Sequence, residues 1–314
     1  MKTVLVAGGC GYIGSVAVEK LIQKNYKVIV VDNLSNGYKK LLNKKATPYF
    51  IDLNNKKELN KVFKKHNIDS VMHFASYKSV GESMKSTEKY SENIKGSINL
   101  LDMMVKYNVN ELIFSSSAAV YGNPKEDKVD EETTTNPINY YGFTKLKIEE
   151  IIKWYSKINK IDYITFRYFN VCGDMLGYVE ESPENIFPII MDVIKGKRNK
   201  LVIFGDDYNT KDGTCIRDYI DVRDLVDAHI LALEKGVKNE TINLGSSSGY
   251  SVKELVDEFS KLSDNLNYKF GNRRKGDPAK LISSNKKAKE LLDWESKKSL
   301  KEMIKSTYDA YNSN

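Results

Sequence analysis

Eleven residues near the start of the chain decide its fold, and they read Val4-Leu-Val-Ala-Gly8-Gly-Cys-Gly11-Tyr-Ile-Gly14. The apolar residues predict a buried strand, and the spaced glycines predict a tight turn that leads into a helix. Glycines at this spacing let the backbone approach a pyrophosphate, and the N-terminus of the following helix favours an anion. The stretch therefore predicts an α/β fold that binds a dinucleotide.

Apolar runs and helical spacing alternate through the first half of the chain. Strands are predicted for residues 4–7, 28–31, 48–51, 71–74, 112–115 and 163–168, and helices for residues 15–24, 56–66, 93–107 and 141–159. Several of the apolar runs lack a polar residue at every second position, so they fit a parallel sheet that is covered on both faces. Their alternation with helices predicts a doubly wound parallel sheet. Beyond about residue 169 the pattern becomes irregular, which predicts a smaller C-terminal lobe over the ends of the strands.

The second predicted strand is followed by an acid, Asp32, about 20 residues beyond the glycine turn. A carboxylate at this place accepts hydrogen bonds from both hydroxyls of a ribose, and it repels a 2′-phosphate. Because no arginine lies near Asp32 in the sequence, we expect NAD as the cofactor rather than NADP.

A tyrosine and a lysine stand four residues apart in Tyr141-Gly-Phe-Thr-Lys145. On a helix these two positions share one face, so the Lys145 ammonium can lie beside the Tyr141 phenol. A nearby cation stabilises phenolate and lowers the pKa of a phenol. Such a tyrosine can take a proton from a substrate hydroxyl while a nicotinamide takes the hydride.

The composition argues against several other classes of protein. The net charge is +7, but the basic residues are mostly lysines that alternate with acids, as on a solvated surface, so no nucleic-acid partner is expected. No run of about 18 apolar residues occurs, so no membrane partner is expected. The three cysteines, Cys10, Cys172 and Cys215, are too scattered for a disulfide framework or a zinc site. We therefore expect no metal and a cytoplasmic location.

With the glycine turn, Asp32 and the Tyr-x-x-x-Lys pair in this order, the chain resembles the extended short-chain dehydrogenase/reductases. Residues 73–83, 115–122, 167–170 and 212–222 resemble motifs of the members that epimerise nucleotide sugars, and the resemblance runs from residue 2 to about residue 294. It implies a Rossmann-type NAD-binding domain over residues 1–170. It also implies a UDP-sugar-binding domain over residues 171–314, interleaved with the first.

The resemblance also implies a reaction, the interconversion of UDP-glucose and UDP-galactose at C4 through a 4-keto sugar, with tightly bound NAD. It assigns catalysis to Ser117, Tyr141 and Lys145. The NAD contacts that it implies are Gly8, Gly11, Tyr12, Ile13, Gly14, Asp32, Asn33, Asp52, Leu53, Phe74, Ala75, Lys78, Asn93, Tyr141, Lys145 and Tyr168. The substrate contacts that it implies are Ser117, Asn170, Asn185, Phe204, Arg217, Arg274 and Asp277. Asp52 and Asn93 fit a turn or a cap equally well.

Several alternatives stay open at the level of sequence. Ala118 and Ala119 stand where the dehydratases of the family carry an acid pair, so that reaction is disfavoured. A 4-epimerase of N-acetylated or uronic UDP-sugars and a silent NAD-binding scaffold both remain. In this family a bulky residue at the pocket wall restricts the substrate and a small one admits N-acetylated sugars. Leu281 is intermediate in size, and a shift of one residue would place Lys280 there. The family also implies a homodimer formed through the helices over residues 93–107 and 141–159.

Overall fold

The computed structural model describes residues 1–178, 182, 184–274 and 277–313. The chain divides into two units, and neither is one continuous segment. Unit 1 contains residues 1–120, 139–167 and 226–242, and unit 2 contains residues 121–138, 168–225 and 243–314. The chain thus passes between the units several times. The assignment of NAD to residues 1–170 and of the UDP-sugar to residues 171–314 stays a prediction.

The strands are short, as is usual for an α/β protein. In chain order they are β1 (Thr3–Ala7), β2 (Lys27–Val31), β3 (Thr47–Tyr49), β4 (Ser70–His73), β5 (Glu111–Ser117), β6 (Lys128–Val129), β7 (Asp162–Tyr168), β8 (Asn170–Cys172), β9 (Leu201–Phe204), β10 (Ile216–Arg217), β11 (Tyr219–Asp221), β12 (Glu240–Leu244), β13 (Tyr250–Ser251), β14 (Tyr268–Gly271) and β15 (Lys280–Ser283).

Ten α-helices lie within the described residues. They are α1 (Tyr12–Gln23), α2 (Lys56–Lys65), α3 (Val80–Ser83), α4 (Thr87–Lys106), α5 (Tyr140–Asn159), α6 (Ile186–Ile194), α7 (Val222–Lys235), α8 (Val252–Ser260), α9 (Lys286–Leu292) and α10 (Leu300–Asn312). None of these helices is both long enough and apolar enough to cross a bilayer.

Unit 1 is built on a seven-stranded sheet in the order β12-β7-β5-β4-β1-β2-β3. The pairs β1–β2, β1–β4, β2–β3 and β4–β5 are all parallel. The chain order runs outward in both directions from β1, so the strand order reverses between β1 and β4. This topology confirms the predicted doubly wound sheet, and ligands of such sheets bind at the reversal point, outside the carboxyl ends of the strands.

Helix α4 begins at Thr87, six residues before the predicted start. Its first turns are polar, so they lack the apolar spacing from which a helix is predicted. Tyr90 is nevertheless fully buried, so this polar segment also packs against the protein. Helix α5 starts at Tyr140 because the Asn139 side chain accepts a hydrogen bond from Gly142 N at 2.8 Å and caps it.

Unit 2 contains three smaller sheets. A four-stranded sheet runs in the order β13-β10-β15-β6, and two-stranded sheets pair β11 with β8 and β14 with β9. In the largest of these, β10 and β15 are parallel, and Arg217 lies opposite Leu281. Helices α8 and α10 both start with a serine capping box, at Ser251 and Ser299.

Candidate active site

The glycine turn after β1 has the shape that its sequence predicts. Gly8 has φ +82°, a left-handed conformation that favours glycine. A Cβ atom on Gly14 would lie 2.0 Å from the Gly8 carbonyl oxygen, so no side chain fits there. Gly11 is the N-cap of α1, and no side chain of the described residues caps this helix by a hydrogen bond. The first turn of α1 therefore presents backbone N–H groups to an anion.

A cleft lies beyond the carboxyl ends of β1 to β4. Among its lining residues are nine of the predicted NAD contacts: Gly8, Gly11, Asp32, Asn33, Asp52, Leu53, Phe74, Ala75 and Asn93. Of the other predicted contacts, Tyr12, Ile13 and Gly14 form the first turn of α1, Lys78 lies between β4 and α3, and Tyr168 ends β7. The cleft stands at the reversal point of the sheet, where the topology predicts a ligand.

Acids and amides on the far side of the cleft are held in place by hydrogen bonds. The two carboxylate oxygens of Asp32 accept from Cys10 N at 2.9 Å and Leu34 N at 2.8 Å. Asn33 Nδ2 donates to Asp52 at 2.7 Å. Burial raises the pKa of Asp52, but hydrogen bonds from Asn54 and Asn33 outweigh it and lower the pKa below its ordinary value. Asp52 is therefore an ionised acceptor at neutral pH.

Asn93 on α4 pins the loop that follows β4. Its Oδ1 accepts from Tyr77 N at 2.9 Å, and its Nδ2 donates to Tyr77 O at 3.1 Å. Both ends of the amide are thus engaged by one residue of the loop. Asn93 holds the wall of the cleft, which is a structural role beside the predicted contact with NAD.

The three predicted catalytic side chains meet within unit 1. Ser117 ends β5, and its hydroxyl lies near enough to the Tyr141 phenol to lower the pKa of that phenol. Tyr141 lies in the first turn of α5, and Lys145 lies one turn later on the same face, with Nζ 5.9 Å from the centre of the Tyr141 ring. The structure therefore brings together a hydroxyl, a phenol and an ammonium from one strand and one helix.

The Lys145 ammonium is buried against β5. Its Nζ donates to the Ser115 carbonyl at 2.7 Å and lies 5.0 Å from the centre of the Phe114 ring. Burial lowers the pKa of Lys145 to about 7, although the nearby carboxylate of Glu149 raises it. Lys145 therefore changes charge near neutral pH.

The pKa of Tyr141 differs from the sequence-based expectation. Burial raises the pKa of the phenol, and the hydrogen bond from Ser117 lowers it by a smaller amount. The expected net lowering by Lys145 is thus not what the protein alone produces. The physical reason is desolvation, which disfavours the charged form of both groups in the same place.

Two buried networks around this site were not predicted from the sequence. Glu149 accepts hydrogen bonds from Ser116 Oγ at 2.5 Å and from Arg167 Nη2 at 2.8 Å. His73 Nε2 lies 2.8 Å from Ser97 Oγ, beside Lys145. The partners are far apart in sequence, so residue spacing cannot reveal them. An acid four residues after Lys145 is the one signal that sequence alone offered.

The predicted substrate residues of unit 2 form two linked pairs. The Arg274 guanidinium lies 4.0 Å from the centre of the Phe204 ring, and Arg217 Nη2 lies 3.7 Å from Asp277 Oδ1. The Asp277 N–H donates to the Arg274 carbonyl at 3.3 Å, which joins the two pairs. Two linked guanidinium groups, one of them over an aromatic ring, suit a nucleoside diphosphate, since arginine binds phosphate oxygens and a ring can pack on a base.

Arg217 is held firmly by the backbone around it. Its Nη1 donates to the Ile216 carbonyl at 2.9 Å and to the Pro278 carbonyl at 2.8 Å. The next residue, Asp218, is fully buried and accepts from the hydroxyls of Ser246 and Ser283 at 2.6 Å each. Asp218 thereby ties β10 to β15 and to the loop before β13.

Two predicted amides of unit 2 lie at the ends of elements. Asn170 starts β8, and its Nδ2 donates to the Asp218 carbonyl at 2.8 Å. Asn185 is the N-cap residue of α6, although its side chain does not cap the helix. Both roles in sugar or phosphate binding stay predictions.

The chain belongs to the NAD dependent epimerase/dehydratase family, whose model matches residues 4–245. The residues of the cleft fit that cofactor, because the helix N-terminus at Gly11 suits its pyrophosphate and Asp32 suits its ribose.

Within this family, the chain is similar to several UDP-glucose 4-epimerases. A UDP-glucose 4-epimerase of Lactobacillus helveticus is 43% identical over 94% of this chain and 92% of its own length. A crystal structure of a UDP-glucose 4-epimerase, 42% identical, superposes with a TM-score of 0.96 and covers 99% of this chain and 98% of that one. The enzyme from Bifidobacterium longum, solved in complex with NAD+ and UDP, is 36% identical, with a TM-score of 0.92 over 100% of this chain and 99% of that one.

Two glycine variants test the glycine turn between β1 and α1. We expect Gly14→Ala to destabilise the protein by roughly 1–3 kcal/mol, because the added methyl group meets the Gly8 carbonyl. Gly11→Ala has more room, since its Cβ would lie 3.4 Å from the same oxygen. It should cost about 0.5 kcal/mol as a poorer N-cap, while still reducing the bound NAD.

Urea unfolding of both variants, together with the NAD content of the purified proteins, makes this comparison. If Gly14→Ala unfolds at the same urea concentration as the unaltered protein, Gly14 does not lie as close to the Gly8 carbonyl as described. If Gly11→Ala retains all of its NAD, the pyrophosphate does not approach that glycine.

Proposed function

We propose that this protein interconverts UDP-glucose and UDP-galactose by epimerisation at C4 of the hexose, with NAD bound throughout the cycle. The observation that carries the proposal is the arrangement of Ser117, Tyr141 and Lys145 at the carboxyl end of β5 in a chain of this family. A hydroxyl, a phenol and an ammonium that lie close together can remove and return one proton at a sugar hydroxyl.

Bound NAD supplies the hydride chemistry, as an acceptor of the C4 hydrogen and then as its donor. Tyr141 takes the proton of the 4-hydroxyl group, and the neighbouring Ser117 hydroxyl orders the path of that proton. Because burial raises the pKa of Tyr141, phenolate needs a compensating charge at neutral pH. Lys145 supplies it when protonated. Once the 4-keto sugar has turned its other face toward the nicotinamide, Tyr141 returns the proton to the oxygen on C4.

Epimerisation requires a hexose that can turn over while its nucleotide stays bound. Arg217 and Arg274 hold the diphosphate, and Phe204 packs against the uracil ring. Binding energy is thereby spent away from the reacting carbon, which leaves the sugar ring free to present either face.

The sheet register favours Leu281 over Lys280 as the residue at the pocket wall. Leu281 lies opposite Arg217 in the parallel pair of β10 and β15, and neighbouring strand residues at paired positions point to the same face. Lys280 points to the other face, where its Nζ forms an ion pair with Asp127 at 2.7 Å. A leucine at the wall leaves little room for an N-acetyl group, so we propose weak or no activity on UDP-N-acetylglucosamine.

The first test is conversion of UDP-galactose to UDP-glucose by the purified protein without added reductant. We expect Tyr141→Phe to lower turnover by about 10²–10⁴-fold, because the proton acceptor is lost. The matched control is Tyr140→Phe, which removes the neighbouring phenol. That phenol bonds to Ser91 Oγ at 2.7 Å, and its removal should leave most of the activity.

Equal losses in both tyrosine variants would contradict the assignment of Tyr141. An unaltered protein that leaves UDP-galactose unchanged but epimerises N-acetylated or uronic UDP-sugars would replace the proposed substrate with one of these. Bound NAD with no turnover of any of them would favour a silent scaffold.

The proposal includes a homodimer formed through α4 and α5. A groove between these helices is lined by Asp102, Met103, Val105, Lys106, Trp154, Tyr155, Ile158 and Asn159. Trp154 is 59% exposed and Ile158 is 68% exposed, an unusual state for large apolar side chains on neighbouring turns. A second copy related by a twofold axis would bury both residues twice.

We place the enzyme in the cytoplasm, where the buried thiols of Cys10, Cys172 and Cys215 stay reduced.

Replacement of Ile158 by lysine tests the dimer. We expect Ile158→Lys to weaken self-association by about tenfold or more, since a charge is buried in both copies. Sedimentation of the variant over a range of concentrations measures this change. The control is Phe270→Lys, at an exposed apolar residue of β14, which should leave association unchanged. A monomeric unaltered protein would contradict the dimer itself.

A further inference from the structure

We propose that Glu149 is a positioning residue for Lys145, whose buried carboxylate keeps the ammonium protonated and so sets the upper end of the working pH range. The inference rests on the proposed function, because it assigns a role within the same proton transfer. It concerns a residue that contacts neither the cleft nor the predicted substrate pairs.

The geometry places a fixed negative charge one helical turn behind Lys145. Glu149 follows Lys145 by four residues on α5, and its side chain is 1% exposed. Its Oε1 accepts from Ser116 Oγ at 2.5 Å and from Arg167 Nε at 3.1 Å, and its Oε2 accepts from Arg167 Nη2 at 2.8 Å. The carboxylate is therefore held in one orientation by β5 and β7.

The ion pair is a poor source of stability, which points to another role. Removing two charges from water costs several kcal/mol, and apolar residues of the same volume often stabilise a protein as well or better. The 20-residue helix α5 already packs on β5 through buried apolar residues such as Ile148 and Ile152. Because these apolar residues already attach α5 to β5, the ion pair has little to add to folding.

Among the described residues, the groups that face Lys145 from β4 and β5 do not supply a negative charge, and Arg167 on β7 is the cation paired with Glu149. The β5 strand offers the neutral Ser115 carbonyl and the Phe114 ring. On β4, His73 Nε2 donates to Ser97 Oγ, because that hydroxyl already donates to the Asn93 carbonyl at 2.7 Å. Burial and the charge of Lys145 lower the pKa of His73 to about 3, so the imidazole is neutral at working pH.

The direction of the effect follows from these charges. Burial lowers the pKa of Lys145 to about 7, and Glu149 raises it against that effect. Without the carboxylate, Lys145 would lose its proton at a lower pH. Tyr141 would then lack the cation that stabilises its phenolate, and proton transfer would fail above that pH. Glu149 should therefore extend activity toward alkaline pH.

The test is the pH dependence of kcat for Glu149→Gln, with UDP-galactose as substrate. The amide keeps the volume and removes the charge, so we expect the alkaline fall in kcat to begin about one pH unit lower. Ser116→Ala is the matched control, since it removes a hydrogen bond to the same carboxylate and leaves its charge. It should leave the alkaline fall in place. Glu149→Asp, which keeps the charge, should restore most of the range.

Glu149→Gln leaves the Arg167 guanidinium buried without its ionic partner, and this could prevent folding. A second variant therefore tests the same inference. The double variant Glu149→Gln with Arg167→Met removes both charges, which protein interiors tolerate better. A smaller shift of the alkaline fall in the same direction is expected in it, because the loss of the Arg167 cation partly offsets the loss of the Glu149 carboxylate. A readout independent of turnover is the ultraviolet absorbance of phenolate, taken as the difference between each protein and its Tyr141→Phe counterpart. It should show Tyr141 ionising at higher pH when Glu149 is absent.

A purely structural role predicts a different result. The variants would then lose thermal stability and kcat equally at all pH values, with the alkaline fall and the phenolate titration unmoved, and the inference would be overturned. Failure of the proposed function is distinguishable from this, because the unaltered protein itself would then not convert UDP-galactose.

Discussion

The burial of the Lys145 ammonium is the constraint on which the rest of the site depends. Its hydrogen bond to the Ser115 carbonyl, at 2.7 Å, fixes α5 on β5 at the height where Ser117 ends the strand. Tyr141, one turn earlier on the helix, is thereby held beside Ser117. Moving the ammonium to the surface would break this hydrogen bond and separate the three groups. A buried charge thus serves as the reference point for the catalytic geometry.

The same burial also opposes the charges that proton transfer needs. Desolvation disfavours phenolate at Tyr141 and ammonium at Lys145, although proton transfer needs both charges together. Unit 1 has two buried polar networks near the lysine. One supplies a carboxylate, Glu149, and the other contains His73, which burial and the charge of Lys145 keep neutral. The pKa of Lys145 is therefore set by its burial and by Glu149, which follows it by one turn on α5.

Much of this could be predicted from the sequence, and what could not has a physical reason. Patterns formed by residues close together in the chain can be read from the sequence. Three such patterns are the glycine turn, the strand–helix alternation of the doubly wound sheet and the shared face of Tyr141 and Lys145. The polar first turns of α4 were missed because Tyr90 alone marks their buried side. The Ser116–Glu149–Arg167 and His73–Ser97 networks join residues from different elements, so only the folded chain reveals them. The net pKa of Tyr141 depends on burial, which spacing does not measure.

The measurement that tests the central claim most directly is the fate of the hydrogen on C4. UDP-galactose carrying deuterium at C4 is incubated with the protein in ordinary water, and the UDP-glucose formed is examined by NMR. If the carbon-bound hydrogen leaves and returns as hydride while Tyr141 handles only the hydroxyl proton, the product keeps its deuterium at C4. Loss of the label to water would mean that C4 is inverted by proton exchange at carbon, and it would contradict the roles assigned to Ser117, Tyr141 and Lys145.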